Sequence, residues 1–205
     1  PPYDYFENVF IANLKDMGID IKSELIKRGH YPKGGGKIKV EIRPSNLSNL
    51  NPGNEIEKIV GKAFVTNLPD HIADRMKRSA LKELIEYPTS ISKESYESES
   101  AGTAITLWTT GKRYLGCGIL GEKGVPAEDI GKEAAEKIKE DIEAGIDIDQ
   151  WSADQIIPFL PLIENSGELI TSKKTGHLES NIWVVNQFPG NKINLVEEEL
   201  VKITY

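Results

Sequence analysis

The sequence predicts a mixed α/β (α+β) fold carrying an inserted second unit, and three observations predict it. Residues 37–43 alternate strictly: Ile38, Val40 and Ile42 face one way, while Lys37, Lys39, Glu41 and Arg43 face the other, as on a strand. Two ladders at four-residue spacing, Ile72-Met76-Ala80-Leu84 and Ile130-Ala134-Ile138-Ile142, mark amphipathic helices. Between the alternating strand and the ladders, residues 44–54 hold Pro44, Pro52, Gly53 and several Asn and Ser, the composition of a linker. The β-α-β-β-α pattern of about 90 residues beyond that linker reads as self-contained. The chain therefore divides into residues 1–54, an inserted small domain over 55–147, and residues 148–205, which rejoin the first part.

In order, residues 4–17 place Phe6, Val9, Phe10, Leu14 and Met17 on one helical face, and Gly18 supplies a C-terminal stop. A chain that opens on two prolines inside such a helix has the look of a cut edge. A strand follows over 19–27. The loop Arg28-Gly29-His30-Tyr31-Pro32-Lys33-Gly34-Gly35-Gly36 admits two readings, a phosphate cradle or an irregular hairpin. A Walker-type cradle needs a helix opening with Lys-Ser/Thr directly after the glycines, and here a strand follows, which favours the hairpin and makes His30 a loop residue.

Past the linker the pattern gives a strand (56–66), a helix (69–86), two or three strands within 91–120, and a helix (126–144). Pro69 and Pro126 stand at first helical positions, where the missing N–H costs nothing. Trp108 and Tyr114 fit strand packing, Cys117 fits a small buried thiol, and His71 falls on an exposed helix face. Residues 149–155 lead into an apolar helix over 156–163, with Asp154 and Gln155 in its first turn. That carboxylate and carboxamide suit either a ribose or metal-bound phosphate, or simple complementation of the helix dipole. A strand at 168–172 and a final strand at 192–204 flank the remaining helix.

Composition narrows the classes of function. No run of about 18 apolar residues occurs, so no membrane-spanning helix is expected, and the opening residues lack the basic flank and apolar run of a signal peptide. Cys117 is the lone cysteine, which rules out an internal disulfide framework and points to a reducing, cytoplasmic location. The net charge of −7 argues against broad duplex binding, which draws its affinity from many Lys/Arg–phosphate contacts, but leaves room for recognition of one terminal phosphate.

The stretch of greatest chemical interest is Thr171-Ser172-Lys173-Lys174-Thr175-Gly176-His177, followed by an apolar-periodic helix. His177 falls near a helix N-terminus, where free N–H groups and the dipole favour bound anions. A neutral imidazole there can act on a phosphate; on spacing alone it can equally cap or pack under the helix.

Taken together, several motifs resemble the RNA 3′-terminal phosphate cyclase family. The most specific is Arg28-Gly29, two free positions, Pro32, one free position and Gly34-Gly35-Gly36 running into a strand. Pro1-Pro2-Tyr3-Asp4-Tyr5, Leu120-Gly121-Glu122-Lys123-Gly124, Ala153-Asp154-Gln155 and Thr175-Gly176-His177 with Ser180-Asn181 follow at the expected spacing. The resemblance covers the whole chain but about the C-terminal three-fifths of a family member.

It implies a large domain of repeated two-helix, four-stranded units, of which residues 1–54 and 148–205 would be parts, with a thioredoxin-like insert at 55–147. It also implies an ATP-dependent enzyme that converts an RNA 3′-phosphate into a 2′,3′-cyclic phosphate through a covalent histidine–AMP. On that match His177 is the nucleophile, Asp154 and Gln155 contact the nucleotide, and Trp151 stacks on adenine opposite a wall made by Pro1 and Tyr5. Tryptophan stands where the family commonly has tyrosine, and either ring can stack. A divalent metal, Mg²⁺ or Mn²⁺, is implied as well. The family's acidic metal ligand and phosphate-binding arginines come from an N-terminal part not found in this sequence, so the 205 residues alone are expected to be inactive. Two other readings share the fold: a non-catalytic cyclase-like scaffold for RNA processing or ribosome assembly, and an enolpyruvyl transferase. The histidine speaks against the first and the glycine signature against the second.

Overall fold

The computed structural model describes residues 1–190 and 192–205. It opens with one helical run in three pieces: α1 (Tyr3–Tyr5), a π-helical turn (Phe6–Phe10) and α2 (Ile11–Asp16). Of the face that the apolar spacing predicts, Val9, Phe10, Leu14 and Met17 are buried along it, whereas Phe6 is only half-buried and Tyr5 is fully buried instead. Gly18 ends the run at φ +91°, a conformation that favours glycine.

The antiparallel hairpin β1 (Ile21–Lys27) and β2 (Lys37–Ile42) follows, so the glycine-rich loop is a hairpin connection. Gly34 and Gly35 take φ +69° and +74°, which requires glycine. Arg28 has a structural task in this fold. Its guanidinium lies 3.9 Å from the Phe64 ring centroid and 4.6 Å from that of Tyr96, and it donates to buried Asp4 at 2.8 Å. Lys62 reaches the same carboxylate at 3.4 Å. The helical run, the hairpin and the next sheet are thereby pinned together. His30 sits in the loop and meets the Thr66 hydroxyl at 3.0 Å.

Residues 44–55 form no regular element. Beyond them, β3 (Ile56–Thr66), α3 (His71–Glu83), β4 (Thr89–Tyr96), β5 (Gly102–Gly111), β6 (Gly116–Leu120) and α4 (Ala127–Glu143) build a four-stranded sheet in the order β4-β3-β5-β6. The β3–β4 pair is parallel because α3 crosses between them; the other two pairs are antiparallel. Both helices pack on one face over Ile59, Ala63, Met76, Ile105, Leu107, Ala134 and Ile138. Ile72 and Ile142, expected inside, are only half-buried, and Ala73 is fully buried instead. Gly131 lets α3 and α4 approach closely: a Cβ there would stand 2.2 Å from the Met76 carbonyl. Tyr114 lies in the turn between β5 and β6 rather than on a strand.

The last part departs from the sequence reading in two places. The helix expected over 156–163 begins earlier, as α5 (Gln150–Ile156), because Asp149 caps it. The apolar stretch that follows winds as a 3₁₀ segment (Ile157–Leu162), since Pro158 and Pro161 cannot supply the N–H groups of an α-helix. After β7 (Glu168–Thr171) and α6 (Gly176–Val185), the expected single strand is a pair, β8 (Asn194–Glu197) and β9 (Val201–Thr204), broken at the exposed Glu198-Glu199 turn. β9 lies between β7 and β8 in an antiparallel sheet. A second apolar cluster joins the opening helical run, α5, the 3₁₀ segment, α6 and this sheet. Trp151 packs against both clusters. Among the described residues no helix is long and apolar enough to cross a membrane.

Candidate functional site

An open groove of about 600 Å³ lies between α5, the N-terminus of α6 and the chain's first residue. Pro1, Trp151, Asp154, Gln155 and His177 all line it, with Thr175 and Asn181 beside them. The residues singled out at 1, 151, 154, 155 and 177 come from three separate stretches of the chain, and the fold brings them to one place.

Two short registers achieve this. Ile148 N–H donates to the Ile170 carbonyl at 3.2 Å, and Ile170 N–H donates to Asp147 Oδ2 at 2.8 Å. The segment entering α5 is thus aligned with β7, the strand that feeds α6. Across the gap, Asn181 Nδ2 donates to the Asp154 carbonyl at 2.7 Å, and the Thr175 hydroxyl donates to Asp154 Oδ1. Thr175 is also the N-cap of α6, its hydroxyl accepting Leu178 N–H at 3.0 Å. Gly176 therefore starts a ten-residue helix whose first two amides, at Gly176 and His177, make no hydrogen bond among the described residues. Such free amides at a positive dipole end favour an anion.

His177 is exposed and its ring has no hydrogen-bond partner among the described residues. It neither caps nor packs under α6; those tasks fall to Thr175 and Leu178. Of the two lysines before it, Lys174 is neutralised by Glu197 at 2.9 Å and Glu179 at 3.3 Å, and those carboxylates hold its pKa above the usual lysine range. Lys173 is exposed and unpaired among the described residues. Gln155 spends one amide hydrogen on the Trp151 carbonyl at 2.8 Å, so its oxygen stays free to accept. Trp151 and Pro1 supply apolar surface on the groove, a setting suited to a planar base.

Tyr5 does not reach the groove. It is fully buried, with its ring edge-on to Trp151 at 6.0 Å, and its hydroxyl donates to Asp149 Oδ1 at 2.5 Å. The wall formed with Pro1 is therefore not Tyr5; the ring lies beneath Trp151 because the phenol finds a buried carboxylate there. Asp149, to which the motif comparison assigned no role, accepts Trp151 N–H and Ser152 N–H at 3.0 Å each through Oδ1, and Gly116 N–H at 3.0 Å through Oδ2. Burial pushes its pKa up to about 6, against hydrogen bonds from Tyr5, Ser152 and Gly116 that pull the other way. The signal for it in the sequence is an Asp directly before a helix, the ordinary N-cap residue.

The class is thus a mixed α/β protein whose groove joins an aromatic platform, a paired carboxylate and carboxamide, and an exposed histidine at a helix N-terminus. The family model for RNA 3′-terminal phosphate cyclase matches residues 1–195. Relatives named RNA 3′-terminal phosphate cyclase include one from Caldivirga maquilingensis, 40% identical over all of this chain and 61% of its own length. Another, from Pyrococcus abyssi, is 39% identical over 95% of this chain and 58% of its own. A third, from Korarchaeum cryptofilum, is 36% identical over 92% and 56%. The chain belongs to the RNA 3′-terminal phosphate cyclase family, and it spans about three-fifths of the length of these relatives.

Proposed function

We propose that this chain carries the nucleotide-activating part of an enzyme that uses ATP to cyclise the 3′-phosphate of an RNA end. The observation that carries the reading is His177 itself: a free, exposed imidazole on a groove that also holds Trp151, Asp154 and Gln155. Imidazole is nucleophilic near neutral pH, and a covalent intermediate divides one hard transfer into easier ones.

In the proposed sequence a ring nitrogen of His177 attacks the α-phosphorus of ATP. A nitrogen–phosphorus bond forms, the α–β bridging P–O bond breaks, and pyrophosphate leaves. An oxygen of the RNA 3′-phosphate then attacks the same phosphorus and releases the histidine. Finally the neighbouring 2′-hydroxyl, losing its proton, attacks the 3′-phosphorus and expels AMP, closing the five-membered ring. The free Gly176 and His177 amides are placed to receive charge building on the α-phosphate oxygens. The adenine lies between Trp151 and Pro1, and Asp154 and Gln155 face the ribose.

Mg²⁺ or Mn²⁺ belongs to the same reading, but the described residues do not by themselves fit a metal. Among the described residues no group of three or more His, Cys, Asp or Glu side chains is arranged to hold one. Asp154, the carboxylate on the groove, already accepts from Thr175, and no step is routed through an ion. The remaining two-fifths of the relatives' length is the proposed source of metal and phosphate ligands. Residues 55–147 are proposed as an inserted domain, on the strength of their own apolar cluster. The free, buried Cys117 thiol is in keeping with a reducing, cytoplasmic setting.

The test is labelling of the full-length protein with ATP carrying radioactive α-phosphate. An acid-labile, histidine-linked label that disappears in His177→Ala, together with loss of cyclisation, is the expected result. Cyclisation unchanged in His177→Ala sinks the assignment. Loss of every activity with no adenylate in the unsubstituted protein favours the non-catalytic scaffold.

A further inference from the structure

We infer that Asp149 and Tyr5 act as a positioning pair, setting Trp151 on the groove and tying α5 to the four-stranded sheet through Gly116. The inference rests on the reading of that groove as an adenine nucleotide site.

The geometry is dense. Asp149 is fully buried, and five donors converge on its two oxygens. Oδ1 takes the Tyr5 hydroxyl at 2.5 Å and the Trp151 and Ser152 amides at 3.0 Å. Oδ2 takes Gly116 N–H at 3.0 Å and the Ser152 hydroxyl at 3.4 Å. Gly116 opens β6, and a Cβ there would stand 2.5 Å from Val9. Helical run, sheet and α5 therefore meet at one carboxylate.

A cap that served α5 alone would need only a surface Asp, because an ordinary N-cap side chain keeps contact with water. Here the carboxylate gives up all hydration, a costly arrangement that an apolar plug of similar volume would avoid. What the burial achieves is a double hold on one residue. The backbone of Trp151 is fixed by Asp149, and its ring meets Tyr5 edge-on at 6.0 Å and 73°. Trp151 is in turn the aromatic surface of the groove. Neither Asp149 nor Tyr5 lines the groove, so both act through Trp151.

By linkage the hold should tighten when the carboxylate gains a proton, because burial favours its neutral form over the charged one. The titratable groups around Asp149 are Tyr5 from the helical run, Asp141 from α4, and Cys117 from β6. Asp141 raises the pKa of Asp149, and the Tyr5 hydrogen bond lowers it. Cys117 acts on Tyr5, whose phenol burial holds well above its usual range. Among the described residues Asp149 has no cationic partner.

The probe is adenosine, which carries no phosphate and nothing that titrates between about pH 5 and about pH 8. Its dissociation constant is measured across that range in full-length His177→Ala protein, so that the histidine does not contribute. Affinity should rise as pH drops through about 6 in this background. Added Tyr5→Phe keeps the ring but removes the donor; it should weaken binding about tenfold and move the acid limb upward. Added Asp149→Asn should weaken binding similarly and abolish the limb. Unaltered affinity and pH profile in Tyr5→Phe overturn the inference, whether or not Asp149→Asn folds. If adenosine binds neither this background nor the unsubstituted protein, the nucleotide reading fails instead. The pair is then judged by hydrogen exchange at the Trp151 and Ser152 amides, where exchange in Tyr5→Phe no faster than in the unsubstituted protein overturns it.

Discussion

The Thr175 hydroxyl donates to Asp154 Oδ1 while accepting Leu178 N–H at 3.0 Å. One side chain thus caps the helix that bears His177 and couples it to the helix that bears Asp154 and Gln155. The Asn181 side chain, donating to the Asp154 carbonyl at 2.7 Å, is a second link between the two halves of the groove. Thr175→Val keeps the shape and removes both bonds of the Thr175 hydroxyl. An N-cap loss costs about 1–2 kcal/mol, which for a chain of this size lowers Tm by about 2–8 °C. Thermal unfolding should show that shift, and a Tm within about 1 °C of the unsubstituted protein would falsify the dual role.

The Arg28–Asp4 pair predicts a larger loss. Both side chains are almost fully buried, at 5% and 2% exposure, and the guanidinium stacks on Phe64 and Tyr96. Arg28→Met keeps much of the packing but leaves Asp4 with Lys62 alone, at 3.4 Å. Breaking a buried pair from one side costs about 3–5 kcal/mol, and the surviving Lys62 contact points to the lower end. Urea unfolding measures it. A loss below about 1 kcal/mol means the pair is not what holds the hairpin.

Gly131→Ala sets two effects against each other. In a helix interior alanine is favoured over glycine by about 1 kcal/mol. The new Cβ would lie 2.2 Å from the Met76 carbonyl oxygen, backbone that cannot swing aside. Overpacking of that kind costs about 1–3 kcal/mol, so the clash should win and the protein should lose stability. A stabilised Gly131→Ala protein shows that α3 and α4 are less closely apposed.

Asp149 fixes the sign of one pH dependence. Its pKa rises from 3.8 in the unfolded chain to about 6 in the folded protein. Between those values the folded state holds more protons, so this group makes the protein less stable as pH rises through the window. The penalty is absent below 3.8, complete above about 6, and on the order of 3 kcal/mol. Denaturant unfolding of the unsubstituted protein and Asp149→Asn at about pH 4.5 and about pH 7 isolates it, since other carboxylates cancel in the difference. Relative to Asp149→Asn, the unsubstituted protein should be the more stable at the lower pH. A difference that does not change with pH contradicts the burial-driven shift.

Much of the architecture is legible in the chain because it is written in local periodicity. The two i+4 ladders became α3 and α4, and the alternating residues after the glycines became β2. Boundaries were less legible where two local signals compete. The apolar run after Gln155 looks helical, but Pro158 and Pro161 make it 3₁₀, and the capping Asp149 moves the helix start forward.

The sequence by itself supplied the candidates for the groove: the resemblance carried by Asp154-Gln155 and Thr175-Gly176-His177 points to them without coordinates. Tertiary structure alone decided how they are employed. His177 is left open because Thr175 takes the capping task, and Lys174 is spent on Glu179 and Glu197. Tyr5 is drawn under Trp151 by Asp149, a partner 144 residues away. Periodicity reports the kind of element and, in α3 and α4, most of its buried face, though the apolar side of β2 stays exposed. It cannot report which distant polar group a buried hydroxyl will find, because that pairing is set by three-dimensional packing and by the cost of leaving a buried donor unmatched.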